Sequence, residues 1–422
     1  MRTSTIRFLD YWLGVPACGL LSVLRTIGRL FGGGAQGEQP RKILYLKFIE
    51  QGATVLAQDA IRRGTAGVGR DNLFFCVFES NRAILDLLDT VPAQNILSIR
   101  DQHLSTFVID FLHAAWTVRR RGINTVIDME FFSRASAIFT FLTGAAIRVG
   151  LHRFTGELPY RGDLMTHRVQ YLPHLHIAMQ YLVLVETAFH DPDEVPMLKV
   201  PLPQIAPTQS AAPRFTPAGD ELDRMHARLD ASHASPIVVL NPNASDLLPL
   251  RKWESARFVT LGQRIHAAYP NALIVLTGSE SERAAADQLC REINAPRTVS
   301  VAGQTTLREL LTLYTIADVL VTNDSGPGHF ASLTPVRAIV MFGPETPRLF
   351  GPLTDAGTPS TTVIWKELAC SPCVSVFNHR LSPCRNTVCM QLITVDEVFE
   401  AVRAAVASSD LSRRSRPAQT AT

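Results

Sequence analysis

From residue 42 to residue 150 the chain alternates two kinds of pattern. Continuous apolar runs at 42–47, 72–78, 95–99, 124–129 and 147–150 are separated by longer stretches, 52–63, 82–88, 104–120 and 133–143, whose apolar residues return every three or four positions. The first kind predicts short strands buried on both faces, and the second predicts helices with one apolar side. Strands of that type, alternating with helices, predict a parallel sheet covered on both faces. The rhythm stops at 191–235, where prolines at 192, 196, 201, 203, 207, 213 and 217 predict a linker without regular structure. A helix over 221–229 closes that linker. The pattern then restarts, with strands at 236–240, 272–277, 298–301, 318–322 and 336–342 and helices at 255–268 and 280–293. A further helix opens at Thr306 with Glu309 as its capping-box partner. The last opens at Thr394 with Glu397 in the same role and ends near Ser408.

The predicted architecture is therefore α/β, with two doubly wound Rossmann-like domains, 41–190 and 236–408, joined by the proline-rich segment 191–235. In sheets of this kind ligands bind beyond the carboxyl ends of the strands, so two facing domains predict a site between them. A polar, basic tail, 409–422, predicts disorder.

Residues 1–40 follow a different pattern. Tyr11 to Leu24 is apolar, is interrupted by Gly14, Pro16 and Gly19, and has Arg2, Arg7, Arg25 and Arg29 around it. It is shorter than the roughly 20 apolar residues a bilayer span needs. It reads as an amphipathic segment lying on an anionic membrane surface, or as a helix packed on the protein itself. A secretory signal peptide fits less well, because Asp10 precedes the apolar run and no small-residue cleavage site follows.

Composition narrows the partners. The chain has 422 residues, long enough for two domains, and 41 Lys and Arg against 38 Asp and Glu give a net charge of +3. A balance that even argues against nucleic acid as a partner. Seven cysteines, with Cys18, Cys76 and Cys290 scattered through apolar or helical text, do not form a secreted disulfide framework and point to a reducing cytoplasm.

The densest chemistry is the turn Thr322-Asn323-Asp324-Ser325-Gly326-Pro327-Gly328-His329, where an apolar strand meets a helix. Asp324 or Ser325 suits the cap, Pro327 the first helical turn, and the glycines allow close approach to the backbone. Free amides at such a turn, with His329 beside them, suit a diphosphate. A second strand-end loop, Asn241-Pro242-Asn243-Ala244-Ser245, is followed by Arg251 and Lys252, a basic pair fit for phosphate or for solvent. After the next strand, Glu280 is placed either to accept from ribose hydroxyls or to favour a helix start.

The text from Thr322 to Pro352, TNDSGPGHFASLTPVRAIVMFGPETPRLFGP, resembles the ADP-heptose heptosyltransferases, glycosyltransferase family 9. The resemblance extends over about 41–405, specific in the second domain and loose in the first. It implies a GT-B fold and inverting sugar transfer without a required metal. The implied donor is a nucleotide sugar, ADP-heptose by default, held by the second domain. By matching positions, donor-binding residues fall on Asp324, Ser325, Gly326 and His329, and further on Arg251 and Glu280; Asn243 joins them as a residue of the strand-end loop. The acceptor implied is a lipopolysaccharide-core or other lipid-linked glycan, met by the first domain at the inner face of the cytoplasmic membrane.

One departure from the family pattern bears on catalysis. Many members carry an aspartate after the glycine of the first strand–helix turn, as presumed general base, whereas here Gly52 is followed by Ala53. Inverting transfer needs a base for the acceptor hydroxyl. Glu50, on the same turn, and Asp128 and Glu130, at the end of another strand, are the candidates. Without such a base the chain would be a non-catalytic nucleotide-sugar-binding relative; a nucleotide-sugar epimerase on the same fold is the other alternative. The late cysteines Cys370, Cys373, Cys384 and Cys389, with His379 between the pairs, read as reduced thiols in a packed loop or as a structural zinc site. Arg134 and Arg148 read as contacts for an anionic acceptor or as surface charges, and His176 as a helix cap.

Overall fold

The computed structural model describes residues 8, 10–30, 37–154, 160–192, 194–205, 214–244, 248–354, 361–378 and 380–414, with side chains 29–30 and 410–414 left aside. Expectations for Arg2, Arg7, Pro207, Pro213, Ser245, His379 and the tail beyond Arg414 lie outside those residues. The chain forms two compact units, Met1–Ser210 with Val376–Arg380, and Ala211–Ser375 with Leu381–Thr422.

The first unit opens with helix α1 (Gly14–Leu30), then β1 (Ile43–Leu46), α2 (Gln51–Leu56), α3 (Gln58–Val68), β2 (Leu73–Phe78), α4 (Ala83–Leu88) and β3 (Ile96–Ile99). It continues with α5 (Leu104–Arg120), β4 (Thr125–Asp128), α6 (Arg134–Leu142), β5 (Ile147–Leu151), β6 (His167–Val169), α7 (Ile177–Thr187) and α8 (Leu202–Ile205). All strands pair in parallel, in the order β3-β2-β1-β4-β5-β6. Alternation of side chains divides the sheet between two helical layers. Leu44, Leu46, Phe74, Cys76 and Val126 pack on Phe111, Ala114, Ala115 and Val118 of α5 and Phe139 of α6. Tyr45 turns to the opposite face, where its hydroxyl donates to Ala60 O of α3 at 3.2 Å. Gly64 makes that approach feasible, since a Cβ there would sit 1.8 Å from the Tyr45 oxygen. Helix α7 packs against α3 on this face, and α1 lies against α6 on the other.

The second unit contains α9 (Gly219–Leu229), β7 (Ile237–Asn241), α10 (Ser255–Ala268), β8 (Leu273–Leu276), α11 (Arg283–Ile293), β9 (Thr298–Ser300), α12 (Leu307–Ile316) and β10 (Val319–Asn323). It ends with α13 (Gly326–Ala331), β11 (Arg337–Phe342), α14 (Pro347–Phe350), β12 (Thr362–Trp365), α15 (Val388–Gln391) and α16 (Val395–Arg414). Its sheet is again parallel, in the order β12-β11-β10-β7-β8-β9. Counted within each unit, both sheets read 3-2-1-4-5-6, and the order reverses beside the first strand of each. Core residues Val238, Leu240, Ile274, Leu276, Val319 and Val321 meet Phe258, Leu261 and Ile265 of α10 and Val398, Val402 and Val406 of α16.

Several expectations are refined. The helix at 52–63 is interrupted at Ala57 and runs on to Val68. The proline-rich stretch holds the one-turn helix α8, and the last helix continues past Ser408 to Arg414. β6 and β12 are edge strands of three and four residues, too short and too mixed in polarity to show as apolar runs. The box at Thr306 and Glu309 is present in both directions.

Candidate functional site

In the second unit the loops after β7 and β10 lie side by side, because Thr322 pairs with Asn241 in the sheet register. Asn323, fully buried at the end of β10, links them. Its Nδ2 donates to Pro242 O (3.0 Å) and Asn243 O (3.1 Å), and its Oδ1 accepts from Trp253 N (3.0 Å). Asn243 in turn donates to Thr277 O at the end of β8. Beyond Asn323, Ser325 takes the N-cap position of α13 without a side-chain cap bond, and Pro327 stands in the first turn. Asp324 is buried and is bound to Arg251 (3.4 Å) rather than to the helix end. The same Arg251 Nη1 reaches Glu345 at 3.3 Å, and the buried Arg251 Nε has no hydrogen-bond partner among the described residues. His329 lies one turn into α13 and is buried.

Glu280 stands after β8 as the exposed first residue of a short 3-10 turn whose cap is the reciprocal pair Ser279–Glu282. Gly303, at φ 68°, lies against it, and a Cβ there would sit 2.8 Å from the Glu280 Cα. The structure thus brings Asn243, Arg251, Asp324, Ser325, Gly326 and His329 to the point where the strand order reverses, with Glu280 one strand further out. The sequence reading missed Asn323 and Glu345, although both stand inside the quoted 322–352 text. Their roles depend on partners some 70 to 94 positions away.

In the first unit the register pairs Leu46 with Asp128, so the loops after β1 and β4 are likewise neighbours. Glu130 binds the β1 loop: Oε1 accepts from Phe48 N (2.7 Å) and Ile49 N (3.3 Å), and Oε2 meets Lys47 Nζ at 3.1 Å. Lys47 also reaches Glu50 at 3.3 Å, and Arg380 pairs with the other Glu50 oxygen. Burial alone would lower the Lys47 pKa, and the two carboxylates reverse this and leave it raised. Burial pushes the Glu130 carboxyl above its usual range against the pull of Lys47. Asp128, with no exposed surface, accepts from Glu130 N and Ser136 Oγ and pairs with Arg161. Of the three candidate bases Glu50 retains the most accessible side-chain surface, 21% against 7% for Glu130 and none for Asp128. It also has a left-handed backbone, φ 72° at the N-cap of α2, a conformation that costs a non-glycine residue about 1 kcal/mol. Lys47 was legible as a charge ending an apolar run. Arg380 had no local signal, being 330 positions from its partner.

Arg134 is buried and holds the N-terminal segment, binding Asp10 at 2.9 Å and Tyr160 O at 2.7 Å. Arg148 donates to Leu164 O and Ala145 O within its own unit. His176 caps α7, its Nδ1 accepting from Ala178 N. Of the late cysteines, Cys389 is buried, Cys384 donates to Asn386 O, and Cys373 accepts from Ser382 Oγ. Among the described residues no group of three or more His, Cys, Asp or Glu is arranged to hold a metal ion.

Two parallel six-stranded sheets of this order, each flanked by helices, are the two domains of a GT-B type glycosyltransferase fold. The solved structure of Escherichia coli ADP-heptose LPS heptosyltransferase II superposes with a TM-score of 0.66 at 18% identity, covering 87% of this chain and 99% of that one. A glycosyltransferase family 9 protein from Veillonella parvula gives 0.66 at 12% identity, covering 89% and 100%. In sequence, residues 113–380 match glycosyltransferase family 9 (heptosyltransferase), and the chain belongs to that family. Lipooligosaccharide heptosyltransferase 2 of Campylobacter jejuni is 20% identical over 63% of this chain and 74% of its own length. The enzyme of the same name from Haemophilus influenzae is 27% identical over 39% of this chain and 45% of its own length.

Proposed function

We propose that this protein transfers a heptose from ADP-heptose, with inversion and without a required metal, to a lipopolysaccharide-core or other lipid-linked glycan. The acceptor hydroxyl attacks the anomeric carbon, the bond to the diphosphate oxygen breaks, and its electron pair leaves with ADP. The observation that carries this reading is the convergence of Asn243, Arg251, Asp324–Gly326, His329 and Glu280 at the carboxyl ends of β7, β8 and β10, in a chain of this family. Helix α13 has only six residues, so its dipole contributes little. Charge on the departing diphosphate therefore falls to backbone amides and to Arg251, whose buried Nε is a donor awaiting an acceptor. Glu280, exposed beside Gly303, suits the ribose hydroxyls.

Glu50 is the proposed general base. Asp128 is sealed by Ser136 and Arg161, and both Glu130 oxygens are occupied by the β1 loop and Lys47. Lys47 and Arg380 each bind one Glu50 oxygen and so orient the carboxylate that would take the acceptor proton. Those same cations, together with Ala53, favour a second reading in which the chain binds a nucleotide sugar and does not turn it over.

Peripheral association with the inner face of the cytoplasmic membrane is part of the proposal. Among the described residues no helix is long and apolar enough to cross a bilayer. Helix α1 packs Cys18 inward and exposes Leu20, Val23, Leu24 and Ile27. Calorimetry with ADP-heptose, UDP-sugars and free nucleotides, on wild type and His329→Ala, tests the donor reading. Binding of one donor that weakens about 10-fold or more without His329 supports it, in line with loss of a hydrogen bond to a charged group. If no nucleotide sugar binds, the donor site and the transferase reading fall together. Binding without turnover over an acceptor panel selects the second reading.

A further inference from the structure

Helix α5 is apolar on two sides. Phe111, Ala114, Ala115 and Val118 face the sheet. On its outer side Leu104, Val108, Leu112 and Trp116 recur at intervals of four with Ile109 beside them, and these five are 45% to 62% exposed. The stripe covers more than three turns, and Ser105 is the small polar residue within it. A surface helix of a water-soluble face would carry charges at these positions.

The charges present sit at the ends. Arg119, Arg120 and Arg121 close the stripe, all exposed, and the Arg120 guanidinium lies 5.1 Å from the Trp116 ring centroid. Asp110, at the edge, is neutralised by a two-pronged bond from Arg100 at 2.7 and 2.8 Å. Beside the stripe, between α5 and the edge strand β3, is a cavity of about 360 Å³ lined by Ser98, Arg100, His113, Thr117 and Arg121. An apolar stripe ending in an indole and a run of arginines matches the depth profile of a bilayer surface, with hydrocarbon, interface and anionic headgroup in that order.

The neighbouring elements extend the same face. Helix α6 packs against α5 and also against α1, so the three helices form one layer on the sheet. Both outer members, α1 and α5, expose large apolar residues. We propose that α5 is a bilayer-docking helix for membranes containing anionic phospholipid, acting with α1 as a second foot. A second copy of the chain is the less favoured occupant, because Asp110, the carboxylate at the edge of the stripe, is already engaged by Arg100 and is not left to meet three arginines. The inference deepens the membrane reading made for residues 1–40 and stands on α5 independently of it.

The test is co-sedimentation of the full-length protein with pure phosphatidylcholine vesicles and with mixed phosphatidylcholine–phosphatidylglycerol vesicles. Wild type is compared with Leu112→Asp/Trp116→Asp in α5, Leu20→Asp/Leu24→Asp in α1, and Arg119, Arg120 and Arg121 changed together to Gln. All substituted side chains are exposed, and thermal melts followed by circular dichroism report that each variant is folded. The expected result is binding to the anionic vesicles that falls at least about 10-fold in the α5 aspartate variant. The arginine variant should keep weak binding and lose the preference for phosphatidylglycerol. If the α5 variant sediments as wild type while the α1 variant does not, α5 docking is wrong and the N-terminal reading survives. Absence of wild-type binding to either vesicle overturns both. A dimer in light scattering that the α5 substitutions dissociate, with vesicle binding unchanged, assigns the stripe to a second copy and overturns the proposal.

Discussion

The loop pairs after β1 and β4 and after β10 and β7 occupy equivalent places in two sheets of the same order, yet they are stabilised by opposite means. After β1, charges bind one another: Lys47 is held between Glu130 and Glu50, and Glu130 also gathers the loop amides. After β10, a neutral amide does the holding: Asn323 ties the β7 loop to Trp253, and the ionic group Asp324–Arg251–Glu345 stands beyond it. In that group Arg251 faces two carboxylates, whereas the β1 cluster sets two cations, Lys47 and Arg380, against two carboxylates, Glu50 and Glu130. Fold topology sets where a site can form, and the choice between a closed ionic knot and an open one is made by a few side chains.

The comparison breaks first at Glu50. Glu50→Gln should lower kcat about 10² to 10⁴-fold with donor affinity retained, the range for loss of a general base. A variant as active as wild type would move the base elsewhere and leave the β1 cluster purely structural. Next comes Glu130→Ala, which strands Lys47 and the Phe48 and Ile49 amides. Unfolding in urea should show a loss of about 3–5 kcal/mol, regained in large part by the double change Lys47→Met/Glu130→Gln.

Acid should separate the units. Burial pushes the His167 imidazole down to about 4, and that of His152 likewise to about 4, and both belong to the first unit. In the unfolded chain these rings protonate near their ordinary value, so between about pH 6.5 and 4 the unfolded state binds protons that the native state refuses. Stability contributed by the neutral rings is thus full above that window and falls as pH drops through it. The loss is roughly 3 kcal/mol for inaccessible His167 and smaller for the partly exposed His152. Hydrogen exchange at pH 7 and pH 5, resolved by peptide, should show protection falling in the first unit; an equal fall in both units would contradict this. The smallest effect belongs to Asn323→Ala, at about 2–3 kcal/mol, from three bonds lost by a buried amide. It should weaken donor binding as well, since the β7 loop and Trp253 lose their common anchor, and unchanged affinity would uncouple that latch from the site.

Much of this was legible before any coordinates. The strands of both cores, the spans of α5 and α10, the Thr306–Glu309 box and the 322–329 turn all follow from local patterns, because apolar periodicity and capping act within one element. The candidate donor residues were legible only as a motif. That Arg251 binds Asp324 and Glu345 depends on chain segments brought together by strand pairing. For the base, sequence left Glu50, Asp128 and Glu130 open; burial and hydrogen bonding separate them, because accessibility is a property of packing. Arg134, read as an acceptor contact or a surface charge, is buried and anchors Asp10. Hydrophobic periodicity marked α5 as a helix and could not show that a second apolar side remains uncovered, since burial depends on neighbours.

The sequence by itself determined two parallel α/β domains, most of their elements, the family and the 322–329 turn, all of them set by short-range pattern or continuous motif. Tertiary structure alone decided the reversal of strand order that joins β7 with β10 and β1 with β4, the pairing of Arg380 with Glu50, and the exposure of α5. Each of these depends on contacts between residues far apart in the chain, whose free energy exists only once the sheets have formed.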